Sequence, residues 1–299
     1  MSPLTTPLSV HTFRPLAMSF IRLFISLATG LLVTHLPAET LEPVSLRAIP
    51  VPQSRQTAPQ VSARSALAID ARTGAVLYEK NSTYHQPAAS MQKLLTALVV
   101  ISEGDLSRPV RIAEADTNCE PSKVYLRAGE TYSRIALLEA LLVHSGNDCA
   151  RALARDNAGS IPEFAEKMNR FARELGAYNS HFVNPNGLPA DGQYSCARDI
   201  AIIARAAYRN SVVRRITAMK TLDFRRPGRG ITTYKNTNKL LVTYPLCNGL
   251  KTGYTELAGF CLASSGKSSR RDSIVVVMHC TKAGVWSDSY RLLAWSLGL

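Results

Sequence analysis

Residues 249–280 read GLKTGYTELAGFCLASSGKSSRRDSIVVVMHC. Gly249–Thr255, Gly259–Ser265 and Ser273–Cys280 are β-rich runs, separated by turn residues, and predict three successive strands. Val285–Leu297 predicts a closing helix, with Trp286, Tyr290, Leu293 and Leu297 on one side. At the other end, Ala66–Asp70 and Ala75–Glu79 flank Ala-Arg-Thr-Gly, a hairpin signal with Gly74 at the turn. The middle is helical. Ser90–Ser102 reads as a helix, and Arg134–His144 carries Ile135, Leu138, Leu141 and Leu142 at helical spacing. Ser160-Ile161-Pro162-Glu163 is a capping box ahead of the stripe Phe164, Met168, Phe171 and Leu175, which Gly176 ends. Ala197–Arg209 is a further helix. Strands at both ends with helices between predict an α/β fold. It has one antiparallel sheet drawn from both ends, flanked by N- and C-terminal helices, with a helical subdomain inserted at about 105–210.

The chain has 299 residues, 46% of them apolar and 19% charged, which excludes a disordered or collagen-like polymer. Only one apolar stretch approaches a membrane span. Net charge is +13, which suits an anionic partner. The clusters Arg214-Arg215, Arg225-Arg226-Pro227-Gly228-Arg229 and Arg270-Arg271 come with no nucleic-acid-binding signature. They read as solvated surface, with peripheral attraction to anionic lipid or another anionic polymer as the secondary reading. Nucleic acid is not an expected partner.

Residues 1–38 hold Arg14 and Arg22 and no acidic residue. Leu23–Leu36 is a short apolar run, followed by Pro37-Ala38 and Glu39. This is the layout of a secretory signal peptide, with an uncleaved anchor as the alternative and Met1 or Met18 as the start. The expected location is outside the cytoplasm, in the periplasm or cell envelope. Residues 39–64, rich in Pro, Gln, Ser and Ala, read as a flexible spacer, and 65–299 as the folded domain. The six cysteines show no C-x-x-C spacing, so neither zinc nor a redox motif is indicated. Cys149 reads as core. Export permits disulfides, and Cys261 with Cys280, on neighbouring strands, is the candidate pair.

Three short motifs carry chemistry: Ser90-Met91-Gln92-Lys93, Ser145-Gly146-Asn147 and Lys251-Thr252-Gly253. With 27 Ser and 10 Lys, roughly one S-x-x-K arises by chance. Ser264-Ser265-Gly266-Lys267 is a second copy, placed on a strand and turn where Ser and Lys would not share a face. K-T-G is much rarer, and the force lies in the combination and its order. Ser90 follows a Pro-containing loop and opens a helix, where free N–H groups and positive dipole collect. Lys93 lies three residues on, along the same face. A neutral Lys93 would take the Ser90 proton, given burial and a second cation, Lys251, to depress its pKa. Ser90 alone would read as an ordinary N-cap.

In this order the motifs resemble those of the serine-type D-alanyl-D-alanine carboxypeptidases, the low-molecular-mass penicillin-binding proteins of the β-lactamase/DD-peptidase-like fold. The resemblance extends through Leu126–Tyr132, Ser145–Asp148, Phe182–Leu188, Ala197–Asp199, Asn236–Asn238 and Gly249–Thr255, from roughly Ser65 to Leu299. It implies Ser90 as acylated nucleophile, Lys93 as general base, and Ser145 and Asn147 as proton relay and substrate-amide holder. It also implies Lys251 and Thr252 as binders of the substrate carboxylate, and the N–H groups of Ser90 and Tyr254 as oxyanion hole. Gly253 would let substrate lie close to its strand. The implied partners are peptidoglycan stem peptides and β-lactams, with no metal and no cofactor. Asn186 or Gln193 stands where many relatives carry His, and Thr281-Lys282 where many carry an Arg, with Lys282 as a substitute.

The expected reaction is removal of the terminal D-Ala from a stem pentapeptide. The same acyl-enzyme also serves endopeptidases and transpeptidases. A β-lactamase on this scaffold is a further alternative, although no E-x-x-x-N lies between Asn147 and Lys251. A non-catalytic wall-binding protein is the remaining one.

Overall fold

The structure is a computed structural model and describes residues 57–299. The signal-peptide reading of 1–38 and most of the spacer lie outside the described residues. The last part of the spacer is not loose. Val61 and Ala63 are buried. The amides of Ser62 and Ala63 and the Ser62 hydroxyl all donate to Asp288 Oδ2, at 2.7–2.9 Å. Packing therefore begins before Ser65, through a bond to a residue 226 positions away that no local pattern announces.

Strands β1 (Ser65–Asp70) and β2 (Val76–Lys80) form the expected hairpin. Its turn is held by Asp70 Oδ1, which accepts from the amides of Arg72 and Thr73. A 3-10 turn over Ala89–Gln92 leads into α1 (Lys93–Ser102). The expected helix thus starts with a tighter first turn, whose first residue, Ala89, has left-handed backbone at φ 48.

The helical region follows: β3 (Pro109–Arg111), α2 (Glu114–Thr117), β4 (Thr131–Ser133), α3 (Arg134–Val143), α4 (Asn147–Ala158), α5 (Ile161–Leu175), α6 (Ala197–Arg209) and α7 (Ser211–Thr217). Ser160 caps α5 by accepting from Glu163 N, and Gly176 ends it in the left-handed region. The stripe Phe164, Met168 and Leu175 is buried as predicted. A hairpin of β5 (Thr221–Arg226) and β6 (Gly230–Lys235) follows, then α8 (Leu240–Thr243).

Strands β7 (Cys247–Thr255), β8 (Gly259–Lys267) and β9 (Asp272–Cys280) precede the last helix, α9 (Gly284–Ser296). The main sheet runs β2-β1-β9-β8-β7, antiparallel throughout. One face packs a core with α9, through Val275, Val277, Leu292 and Leu293. The other packs on the helical region, through Ile274, Val276, Ile200 and Ile203. Both faces are covered, so Ile274–Met278 of β9 reads as a continuous apolar run rather than an alternating one.

All six cysteines are free. Cys261 belongs to the core on the helical side and Cys280 to the core under α9. Neighbouring strands therefore do not bring the candidate pair together, because the two thiols serve opposite faces of the sheet. Cys149 is fully buried core.

Candidate active site

The three motifs meet where the 3-10 turn approaches β7 beside the α3–α4 junction. A 3-10 turn eclipses residues three apart, and Lys93 Nζ lies 2.9 Å from Ser90 Oγ. The same nitrogen is 2.8 Å from the Ser145 carbonyl oxygen, 3.1 Å from Ser145 Oγ and 2.5 Å from Asn147 Oδ1. Lys93 is fully buried.

Ser145 sits between α3 and α4 with φ 70, a left-handed conformation rare for a residue with a side chain. It turns both its carbonyl and its hydroxyl toward Lys93. Asn147 is the first residue of α4, and its Nδ2 donates to the Glu120 carbonyl at 2.8 Å. Buried Asp148 accepts from the amides of Val124 and Leu126. The loop before β4 is thereby fastened to the start of α4.

Lys251 is also fully buried, and its Nζ donates to the Thr252 carbonyl at 3.0 Å. Burial pulls its pKa down to about 7. Burial also pulls Lys93 well below the ordinary lysine range, and the neighbouring charge of Lys251 pulls it further, against smaller opposing pulls from Cys149 and Asp148. Thr252 Oγ1 donates to Thr237 Oγ1 at 2.6 Å.

A cleft of about 470 Å³ opens here, its walls including Ser90, Ser145, Asn147, Thr237, Thr252 and Trp286, with Lys93 and Lys251 fully buried behind them. Tyr254 stands at its rim, 54% exposed, stacked on Phe260 with ring centroids 4.2 Å apart. Gly253 has a packing reason beyond substrate approach. A Cβ there would lie 2.9 Å from the Ala88 carbonyl oxygen and 3.1 Å from Ser90 N, so only glycine lets β7 press against the turn that holds Ser90.

Asn186 and Gln193 organise the loop opposite. The Asn186 carbonyl accepts from Ser90 Oγ at 3.3 Å. Gln193 Oε1 accepts from the amides of Val183 and Asn184, and its Nε2 donates to the Leu188 carbonyl. Gln193 is thus a strut of the loop. Lys282 is exposed and is not among the residues lining the cleft, so the structure does not place it as a substitute cation. In the second S-x-x-K, Ser264 is buried and Lys267 exposed on one strand, so the two point apart.

Thr237 and Gly187 line the cleft and were not singled out from the sequence. Both lie in segments that carry the family resemblance, Asn236–Asn238 and Phe182–Leu188, and that was their only signal.

Comparison with known proteins agrees with this geometry. A family model described as Peptidase S11, D-alanyl-D-alanine carboxypeptidase, matches residues 52–282. D-alanyl-D-alanine carboxypeptidase DacF of Bacillus subtilis is 37% identical over 72% of this chain and 57% of its own length. DacB2 of Mycobacterium tuberculosis is 34% identical over 81% of this chain and 84% of its own. The chain therefore spans little more than half of DacF and most of DacB2. The crystal structure of D-alanyl-D-alanine carboxypeptidase from M. tuberculosis H37Rv superposes with a TM-score of 0.78 at 33% identity, covering 83% of this chain and 96% of that one. The Streptomyces K15 DD-transpeptidase superposes at 0.76 and 30% identity, covering 82% and 100%. By motif order, fold and these matches, the chain belongs to the D-alanyl-D-alanine carboxypeptidase family, Peptidase S11.

Proposed function

We propose that the protein is an exported serine DD-carboxypeptidase that removes the terminal D-Ala from peptidoglycan stem pentapeptides through an ester on Ser90. What carries the proposal is the placement of Lys93 Nζ, 2.9 Å from Ser90 Oγ, in full burial. A neutral lysine amine has two hydrogens and one lone pair. Of its four oxygen neighbours, the Ser145 carbonyl and Asn147 Oδ1 only accept. They take the two hydrogens, and the lone pair remains for a hydroxyl proton. Lys93 is then a base aimed at Ser90.

Ser90 Oγ attacks the carbonyl carbon of the penultimate D-Ala while its proton passes to Lys93. The N–H groups of Ser90 and Tyr254 hold the oxyanion. The C–N bond breaks, the departing D-Ala amine receives a proton relayed through Ser145, and the ester remains. Water then attacks the ester, restoring the Ser90 hydroxyl and releasing the shortened peptide. Asn147 holds the substrate amide. Lys251 and Thr252 receive the terminal carboxylate, with Thr237 supporting the Thr252 hydroxyl at 2.6 Å.

Export belongs to the same proposal and rests on residues 1–38. No helix among the described residues is long and apolar enough to cross a membrane. β-Lactams, which present a strained amide beside a carboxylate, would acylate Ser90 in the same way.

Mass spectrometry of a stem pentapeptide incubated with the protein tests the reaction. Loss of one D-Ala is expected, and an intact pentapeptide refutes it. A site that also fails to bind penicillin would favour the non-catalytic alternative.

A further inference from the structure

A second groove of about 510 Å³ lies at the far end of the sheet from Ser90, where the β1–β2 turn, the end of α6, α7 and the β8–β9 turn converge. It shares no lining residue with the active-site cleft. Its cations are Arg72, Arg209, Arg214, Lys267, Arg270 and Arg271, against only two carboxylates, Asp70 and Asp272.

The two carboxylates are already matched. Arg271 Nε is 3.7 Å from Asp70, and Lys267 Nζ is 3.6 Å from Asp272. Four guanidinium groups remain uncompensated. Arg214 and Arg270 are steered by backbone carbonyls, those of Tyr208 and Gly298. The side chains of Arg72 and Arg209 are exposed and have no hydrogen-bond or ion-pair partner among the described residues. Behind them, buried Arg205 donates to the carbonyls of Ala71 and Arg72, adding a further positive charge under the groove floor. Like charges held this close repel, and the arrangement is relieved by an anion.

The groove is also built rather than floppy. Ser268 Oγ accepts from the amides of Arg270 and Arg271 and donates to the Leu297 carbonyl, pinning the β8–β9 turn to the end of α9. Guanidinium groups in a fixed fork match phosphate oxygens in pairs. The surface is concave, and its cations surround only Ala71 and Tyr208 as apolar material. It offers nothing to insert into a bilayer.

We propose that this groove is a binding site for a soluble phosphate-bearing anion, of the pyrophosphate or phosphodiester class, separate from the peptidase centre. Phosphate in lipid headgroups shares this chemistry, so the test has one arm for each source.

Pyrophosphate is titrated calorimetrically into the full-length protein, and co-sedimentation is measured with vesicles of anionic and of zwitterionic lipid. The variant is Arg72→Gln with Arg209→Gln, two exposed side chains without partners, and a thermal melt confirms its fold. Binding of pyrophosphate that weakens at least tenfold in the variant, with unchanged turnover of D-Ala-D-Ala peptide, is the expected result. No pyrophosphate binding up to millimolar concentration overturns the proposal, as does binding that the variant leaves unaltered. Anionic-vesicle binding that needs Arg72 and Arg209 without pyrophosphate binding also overturns it, and reassigns the groove to the membrane surface.

Discussion

Gly187 stands so close to the turn bearing Ser90 that a Cβ on it would lie 2.1 Å from the Ala89 carbonyl oxygen. Its φ of 87 is in the left-handed region as well. The loop carrying Asn186 thus touches the turn bearing Ser90 backbone to backbone, with no side chain to give way. Gly187→Ala should displace Ser90 relative to Lys93, and a shift of about 1 Å can reduce rate by about 100-fold. Gly129 provides the control, because it has the same φ of 87 with nothing within 4 Å of an added Cβ. Gly129→Ala should cost about 1 kcal/mol of stability from backbone conformation alone and keep full activity. Penicillin acylation rates and thermal melts of the two variants check this. Equal acylation by both would show that the contact at Ala89 does not position Ser90.

Lys93→Arg should abolish acylation. Guanidinium stays protonated at any working pH, so it has no lone pair to receive the Ser90 proton. General base catalysis commonly contributes about 100- to 10,000-fold, and a fall of that order is expected. Rapid-quench acylation with a chromogenic β-lactam measures it, beside a melt to verify folding. A variant acylating near the parent rate removes Lys93 as the base.

The main sheet was legible for a physical reason. Both of its faces are covered, so β9 carries the unbroken apolar run Ile274–Met278, and turn residues mark the strand ends. Helix α5 was equally legible, with Ser160 at one end and Gly176 at the other. The hairpin of β5 and β6 was not legible, although Leu222 and Phe224 alternate as buried residues within it: Arg225 and Arg226 end β5 and Arg229 lies in the turn, so charge interrupts the pattern after Phe224. The site was legible only as three motifs. The Ser145 backbone that faces Lys93, the Thr237–Thr252 hydroxyl pair and the Gly187–Ala89 approach join segments far apart in sequence. No local periodicity encodes them. The 3-10 turn was hidden too, because spacing three residues apart fits an α-helix nearly as well.

The pH profile should separate the two lysines. Lys93 must be neutral to act as base, so kcat/KM falls at acid pH as Lys93 gains its proton. Lys251 must be charged to hold a carboxylate, and its pKa is about 7. For a peptide ending in a free carboxylate, kcat/KM should therefore fall again as pH rises through that value, giving a bell. For the same peptide amidated at its end, the alkaline fall should vanish and the whole curve should drop. The lost charge-assisted hydrogen bonds are worth about 1.5–3 kcal/mol each. Superimposable profiles for acid and amide would refute carboxylate capture by Lys251 and point to an endopeptidase.

Penicillin should leave a persistent ester on Ser90. Its strained amide and carboxylate can occupy the cleft with the amide at Ser90 and the carboxylate near Lys251 and Thr252. Attack proceeds as on peptide, with Lys93 taking the proton. In the peptide reaction the leaving D-Ala diffuses away and water enters. In the β-lactam the opened ring remains tethered and obstructs that approach. Among the described residues, none of those lining the cleft carries a carboxylate that could activate water. Glu163, Glu166 and Glu174 lie along α5 instead. Acylation should then outrun deacylation, and intact-mass measurement should show one drug mass added, absent in Ser90→Ala. Rapid return to the unmodified mass with continuing drug hydrolysis would favour a β-lactamase. A label mapped to Ser264 would overturn the site, although its burial and the outward turn of Lys267 leave it without a base.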